Sequence, residues 1–286
     1  MFYYNDESEV SDFINQITYD HEFDVNKIVN HFEVFDAQSV LRQLIHQALG
    51  GLLGKKPFDS MVSDSFKDIQ ASDWRVYRNK YNSLSIKQIE GENVSKLDEI
   101  YLFPNDIFLY FTGPGEATIT KYVFSPPPEI DVFTKSRPLL SRDTFRVSNG
   151  SYIYLKAGSC AIEFNKISSL LFFEVASIKH DPVVWHYHKS KKIFVRLSSA
   201  NVPATRKVFS MDILKKIKSR ASINVLKKVA INDKHHFVRW KAVETLGVIA
   251  PSEVEDVVKL LLEDSHPEIR QSAEQSLLSI SQMQGE

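Results

Sequence analysis

The sequence predicts an α+β multidomain chain: mainly helical over residues 1–99, β-rich over 100–209 and helical again over 210–286. Three observations carry this. Apolar residues fall at i, i+3, i+4 spacings within residues 37–53. From about Ile100 the pattern changes to short aromatic and β-branched runs broken by turn residues. Near the end, residues 233–242 recur as residues 264–273, a repeat of period 31, which marks stacked helical hairpins.

In the first region Val40, Leu41, Leu44, Ile45, Ala48, Leu49 and Leu52 form one broad apolar stripe, and Gly50, Gly51 and Gly54 close it. Shorter amphipathic helices are expected at residues 11–17, 24–32, 60–69 and 74–89. His21, His31 and His46 have no carboxylate at a helical spacing that would make a metal site.

In the middle region residues 106–112, 117–124, 151–157, 159–164, 170–177, 183–188 and 192–198 read as strands. Gly113-Pro114-Gly115, Pro126-Pro127-Pro128, Asn149-Gly150, Gly158 and Asp181-Pro182 separate them. So many short strands without intervening helices predict a jelly roll or barrel, not a doubly wound sheet. Cys160, the only cysteine, reads as core filling in a reducing compartment.

After Ser210 the helical period returns. Residues 211–219 are a Lys-rich helix, and two repeat units follow at 222–250 and 252–281. Ser252 with Glu255 reads as a capping box, and Pro267 suits a first helical turn. Stepping 31 residues back from Val238, Ala242, Leu246 and Ile249 gives Lys207, Met211, Lys215 and Lys218, which do not form the same stripe. Two units are fewer than a free-standing solenoid needs, so the tail must lean on a neighbour.

Composition is that of a globular protein, with 43% hydrophobic and 25% charged residues and a net charge of −1. The N-terminus lacks a secretory pattern and no run is long enough to span a bilayer, so a cytoplasmic location without membrane association is expected. Charge is unevenly spread. Residues 189–241 hold 15 Lys or Arg against Asp212 and Asp233, a balance of +13; residues 1–36 hold nine acids against Lys27, a balance of −8. Such asymmetry fits docking between parts of one chain, between copies, or with an anionic partner. Phosphate loops, Cys pairs at zinc spacing, a G-x-S-x-G elbow and a His-Glu-x-x-His helix do not occur.

The repeat resembles short bacterial HEAT-like repeats through Asp233, Val238-Arg239, Ala242 and Leu246-Gly247, and again through Asp264, Ile269-Arg270, Ala273 and Leu277. The resemblance implies a protein-binding scaffold, with each Asp and Arg pairing across the stack. The β region resembles a degenerate cupin in the stretch from Thr144 to Gly158. Thr144, Arg146 and Ser151 stand where that family has two His and a Glu, so the resemblance implies a barrel whose metal has been lost there.

These patterns leave three functions open. The first, favoured, is a non-catalytic binding or scaffold protein without cofactor. Its HEAT-like repeats hold a protein partner or a second copy, and its barrel takes a small molecule near Thr144, Arg146, Tyr152, Tyr154, Trp185 and Tyr187. Strand aromatics that face inward, Phe172 and Phe173 among them, line such a pocket or merely fill it. The second is a metal-dependent cupin enzyme. His186 and His188 alternate onto one face of a strand, with His180 or Glu174 completing a transition-metal set. The third is nucleic-acid binding through a basic surface of Lys215, Lys216, Lys218, Arg220, Lys227, Lys228, Lys234, Arg239 and Lys241, which the near-neutral charge disfavours. Of these, Lys215, Lys216, Arg220, Lys227, Lys228, Lys234 and Arg239 also form the expected interaction surface of the scaffold reading.

Overall fold

The structure is a computed structural model and describes residues 7–18, 23–52, 71–90, 98–126, 131–132 and 137–284. It divides into two compact units, one of residues 1–126 with 135–198 and the other of residues 127–134 with 199–286.

The first unit begins with helices α1 (Glu7–Thr18), α2 (Val25–Val34) and α3 (Ala37–Leu52). Asp24 caps α2 by accepting the N–H groups of Asn26 and Lys27 at 3.0 and 3.2 Å. Gly50 and Gly51 fall inside the last turn of α3, not after it. Strands β1 (Ala71–Arg78), β2 (Asn82–Glu90), β3 (Glu99–Tyr101), β4 (Asn105–Thr112), β5 (Ala117–Phe124), β6 (Leu139–Val147), β7 (Tyr152–Leu155), β8 (Cys160–Ile167), β9 (Ser169–His180), β10 (Val183–His188) and β11 (Phe194–Ser199) follow. They build three sheets, in the orders β1-β2-β9-β4-β7, β6-β5-β8 and β11-β10-β3. The first two are antiparallel throughout, as expected for strands joined without crossover helices.

The unit is layered by the alternation of its strands. One face of the five-stranded sheet, through Leu84, Ile86, Phe108, Phe173 and Val175, packs against Val10, Phe13, Ile17, Ile28, Phe32, Val40 and Leu44 of the three helices. Phe173 lies 5.6 and 6.1 Å from the rings of Phe32 and Phe13. The other face meets β6-β5-β8 over a core that includes Ile107, Leu109, Phe111, Ile119, Phe164 and Phe172. A separate cluster joins Tyr122 and Phe124 of β5 to Ile100, Val183, Trp185 and Tyr187 of the β11-β10-β3 sheet. The space between the sheets is thus filled by side chains.

Three expectations need correction here. Residues 74–89 are not helical: they form most of the β1–β2 hairpin, turned by Asn79, whose Oδ1 accepts the N–H groups of Tyr81 and Asn82, both at 2.8 Å. Leu84, Ile86 and Ile89 suit a helical spacing and a strand alternation alike, and pairing with β9 decides between them. The division at residue 99 therefore cuts one unit in two. The helix expected at 60–69 lies outside the described residues. Strand β6 went unrecognised because an edge strand carrying Arg142, Asp143 and Arg146 lacks an apolar signature. Asn149-Gly150 does make a turn, with Gly150 at φ +82°, but it joins β6 to β7 in a different sheet.

Gly115 sits where the chain returns from β4 to β5, and a Cβ there would lie 1.3 Å from the carbonyl oxygen of Ser169. Gly115→Ala is expected to cost about 2 kcal/mol, by forcing the backbones apart. Thermal unfolding of the variant beside Gly150→Ala, whose Cβ meets nothing within 4 Å, checks this, and the second change is expected to cost only its backbone strain, about 1 kcal/mol.

The second unit is helical: α4 (Val202–Ile217), α5 (Ile223–Asn232), α6 (His236–Ile249), α7 (Pro251–Leu260) and α8 (Pro267–Gln284). Helix α4 begins eight residues before the boundary expected at 209/210. Asn201 caps it by accepting the Ala204 N–H at 2.9 Å, with Pro203 in its first turn. Pro267 opens α8 as expected. Ser252 and Glu255 do not form a capping box: Pro251 already opens α7, Ala250 is its cap residue without a side-chain bond, and Glu255 instead pairs with Lys259 at 2.8 Å.

The apparent absence of a third unit also changes. Ala204, Val208, Met211 and Leu214 of α4 join the core made by α5 to α8. The match appears at an offset of 32, which aligns Lys207 with Arg239, Met211 with Val243 and Leu214 with Leu246. Helix α4 thus aligns with the second helix of a unit, and among the described residues it is preceded by β11 and not by a first helix.

Candidate protein-docking surface

Each hairpin turn of the helical unit is closed by an Asp and a basic residue of the preceding second helix. Lys207 of α4 binds Asp233, whose Oδ1 accepts the His235 N–H at 3.0 Å. Arg239 of α6 grips Asp264 through Nε at 2.8 Å and Nη2 at 2.5 Å, and its Nη1 donates to the carbonyl of Asp233 at 2.8 Å. The Asp264 side chain accepts the His266 N–H at 2.7 Å. Burial pushes both carboxyls up, but the bonded cations and backbone N–H groups outweigh it and hold Asp233 and Asp264 below their ordinary pKa. Arg270 of α8 repeats the bond to the turn, donating to Asp264 O at 2.7 Å, and has no carboxylate partner among the described residues.

This ladder corrects one expected surface residue. Arg239 is 6% exposed and holds the stack together. Lys227 is engaged with Glu253 at 2.5 Å. Lys216, Arg220, Lys228 and Lys234 are exposed and Lys215 is half-buried.

Helix α4 carries an apolar stripe that the sequence pattern did not single out. Phe209, Ile213 and Ile217 of α4 follow at i, i+4, i+8 and are 66%, 44% and 65% exposed. Arg206 and Lys216, both exposed, flank them, and Lys218 and Arg220 follow. In α6 the positions aligned with Ile213 and Ile217 are Thr245 and Ile249, and both are buried. Helix α6 packs against α5, and α8 against α7, whereas α4 packs on α6. Among the described residues no first helix packs on α4, and the stripe is exposed.

The other expected site residues do not converge. Thr144 and Arg146 lie exposed on β6; Thr144 Oγ1 is 2.9 Å from Thr120 Oγ1, and Arg146 pairs with Glu116. Tyr152 stacks on Phe108 at 5.5 Å on the helix side of the large sheet, where the Tyr154 hydroxyl donates to Asp106 at 2.7 Å. Trp185 and Tyr187 are each 1% exposed within their own cluster. These six side chains are spread over three layers.

His186 and His188 do share a face of β10, the half-buried one opposite Trp185 and Tyr187. His186 contacts Glu99 at 3.3 Å and Ser198 at 2.8 Å, and burial, then Arg196, holds its pKa below the usual value. His188 contacts Asp98 at 3.1 Å. His180 Nδ1 sits 2.9 Å from the carbonyl of Asp181. Glu174 lies on the inner face of the five-stranded sheet, 3.0 Å from Lys87. Among the described residues these four make no metal-holding group. The group that does form is Asp131, His236 and His266. Nothing in the sequence links a residue at 131 to the repeat turns, although both histidines lie within the repeated stretches.

Solved structures that the chain resembles include the EutQ protein of Clostridium difficile, 13% identical over 43% of this chain and 79% of that one, with a TM-score of 0.27. A cupin domain from Bordetella pertussis is 11% identical over 39% of this chain and 96% of that one, with a TM-score of 0.26. KdgF from Halomonas sp. is 10% identical over 40% and 84%, also with a TM-score of 0.26. Likeness at this level carries no functional argument. No curated protein sequence matches the chain. The family model for HEAT repeats matches residues 193–278, a range that takes in β11 and the helical unit from α4 into α8.

Proposed function

We propose that this chain is a non-catalytic docking protein whose HEAT repeats receive an amphipathic, acidic helix from a protein partner along α4. The observation that carries this is the exposed stripe of Phe209, Ile213 and Ile217 on a helix that, among the described residues, has no first helix packed on it. The neighbouring units indicate what fits such a face: an antiparallel helix with apolar residues at i, i+3, i+4 and i+7. The flanking Arg206, Lys216 and Arg220 favour acids on the partner's polar face and steer its approach. A second copy of this chain is a poorer occupant. Its acidic α1 already buries Val10, Phe13 and Ile17 against its own sheet, and α7 buries Val257 and Val258.

Selection of displayed 18-residue peptides on the full chain tests the reading. Enriched sequences are expected to share the helical apolar spacing with Asp and Glu between. Measured by fluorescence anisotropy, their affinity is expected to fall about tenfold or more with Ile213→Asp, the usual loss for an interface anchor. Enrichment without that spacing, or equal binding to the variant, sinks the proposal. So does tighter binding of mixed DNA and RNA oligonucleotides with a steep salt dependence, which belongs to the basic-surface alternative.

A further inference from the structure

Away from the stripe on α4, three metal-type donors meet within the helical unit. Asp131 Oδ2 lies 3.5 Å from His236 Nδ1 and 3.8 Å from His266 Nε2, and the three donor atoms are all within 4.8 Å of one another. They come from separate stretches of chain: residues 131–132, the first residue of α6 and the turn before α8. His266 is 9% exposed, its Nε2 is buried without a hydrogen-bond partner, and that atom faces the Asp131 carboxylate. The two imidazoles stack at 3.8 Å with their planes 3° apart.

We propose that Asp131, His236 and His266 form a binding site for a first-row divalent transition ion, with zinc as its best match. Two imidazoles and one carboxylate are a nitrogen and oxygen set of the kind zinc takes, whereas calcium and magnesium call for oxygen ligands throughout. At metal–ligand distances of about 2.0–2.2 Å, tetrahedral donors stand about 3.3 Å apart. The Asp131 contacts at 3.5 and 3.8 Å are close to this, and turning one imidazole out of the parallel stack brings both lone pairs to a common centre. With His236 bound through Nδ1, its Nε2–H points toward Glu268 Oε2 at 3.8 Å, an outer carboxylate that orients the ring. Binding through His266 Nε2 puts the ring proton on Nδ1 and gives up the long 3.3 Å bond from the Glu268 N–H. The adjacent helix N-termini and Arg239 also oppose a cation. Affinity is therefore lower than at a four-ligand structural site. An ion held here ties the 131–132 segment to both repeat turns.

Cobalt(II) is the probe, because its visible absorption reports nitrogen ligation. The full chain, stripped with a chelator, is expected to bind one equivalent that zinc displaces. His266→Asn keeps a side-chain acceptor at the start of α8 and, with helicity unchanged, is expected to weaken binding about tenfold or more; Asp131→Asn is expected to act in the same direction. The His186→Ala/His188→Ala double variant is expected to bind as the parent does. No binding at one equivalent, binding indifferent to His266→Asn and Asp131→Asn, or binding that disappears with His186 and His188 would each overturn the assignment.

Discussion

Arg239→Ala is expected to destabilise the helical repeats by about 3–5 kcal/mol, the usual loss when one partner of a buried ion pair is removed. The side chains of Arg239 and Asp264 are only 8% and 5% exposed. Without the guanidinium, Asp264 keeps the His266 N–H but loses its bidentate cation, and the Asp233 carbonyl loses its donor. Arg270→Ala removes a residue of the same type at the aligned place, but one whose bonds go to the carbonyls of Asp264 and Ser265. It is expected to cost about 1 kcal/mol or less. Urea unfolding of the full chain, followed by helical circular dichroism, measures both. An Asp264→Asn companion closes the cycle: paired with Arg239→Ala it is expected to be less than additive, because the two side chains share one interaction. Equal losses for Arg239→Ala and Arg270→Ala would remove the ladder from the account.

The ladder also explains what could be read from the chain. Period 31 was legible because the turn, a β-branched residue followed by Arg, and an Ala recur in both complete units, and self-similarity needs no knowledge of burial. The half unit was not, because one extra residue shifts α4 to an offset of 32 and Lys207 stands in for the arginine. The repeat resemblance implied the Asp–Arg pairing that Arg239 makes with Asp264, but charge counting also placed Arg239 among the surface cations, since a long basic side chain looks the same whether solvated or buried on a carboxylate. In the β region the period of two correctly set His186 beside His188, but alternation cannot say which face of β10 meets the core. That depended on Trp185 and Tyr187 finding Phe124 and Tyr122, which are far away in sequence. Residues 74–89 failed for the complementary reason: their apolar spacing suits two periods, and only pairing with β9 chooses one.

That hairpin carries the second large effect. Lys87, 1% exposed, projects from β2 on the face opposite Leu84 and Ile86, together with Ile89. Its ammonium lies 3.0 Å from Glu174 and 3.9 Å from Asp73, whose side chains are 4% and 7% exposed. Lys87→Met keeps the length and apolar stem but removes the charge. At neutral pH it is expected to cost about 3–5 kcal/mol, since both buried carboxylates lose their nearest cation and Arg75 alone acts on Glu174 from β1. Burial already raises the pKa of Glu174 in spite of Lys87, and removing Lys87 raises it further. A carboxyl that binds its proton more tightly folded than unfolded loses stability as pH rises from the unfolded value, about 4.3, through the folded one. The penalty of Lys87→Met is therefore expected to be largest above the folded pKa of Glu174 and to shrink as pH falls toward about 4. Adding Glu174→Gln is expected to recover much of the loss at neutral pH and to flatten the pH profile. A penalty that is the same at pH 4.5 and pH 8 would mean that Lys87 acts by packing, and that the charges between the sheets are neutralised by other groups.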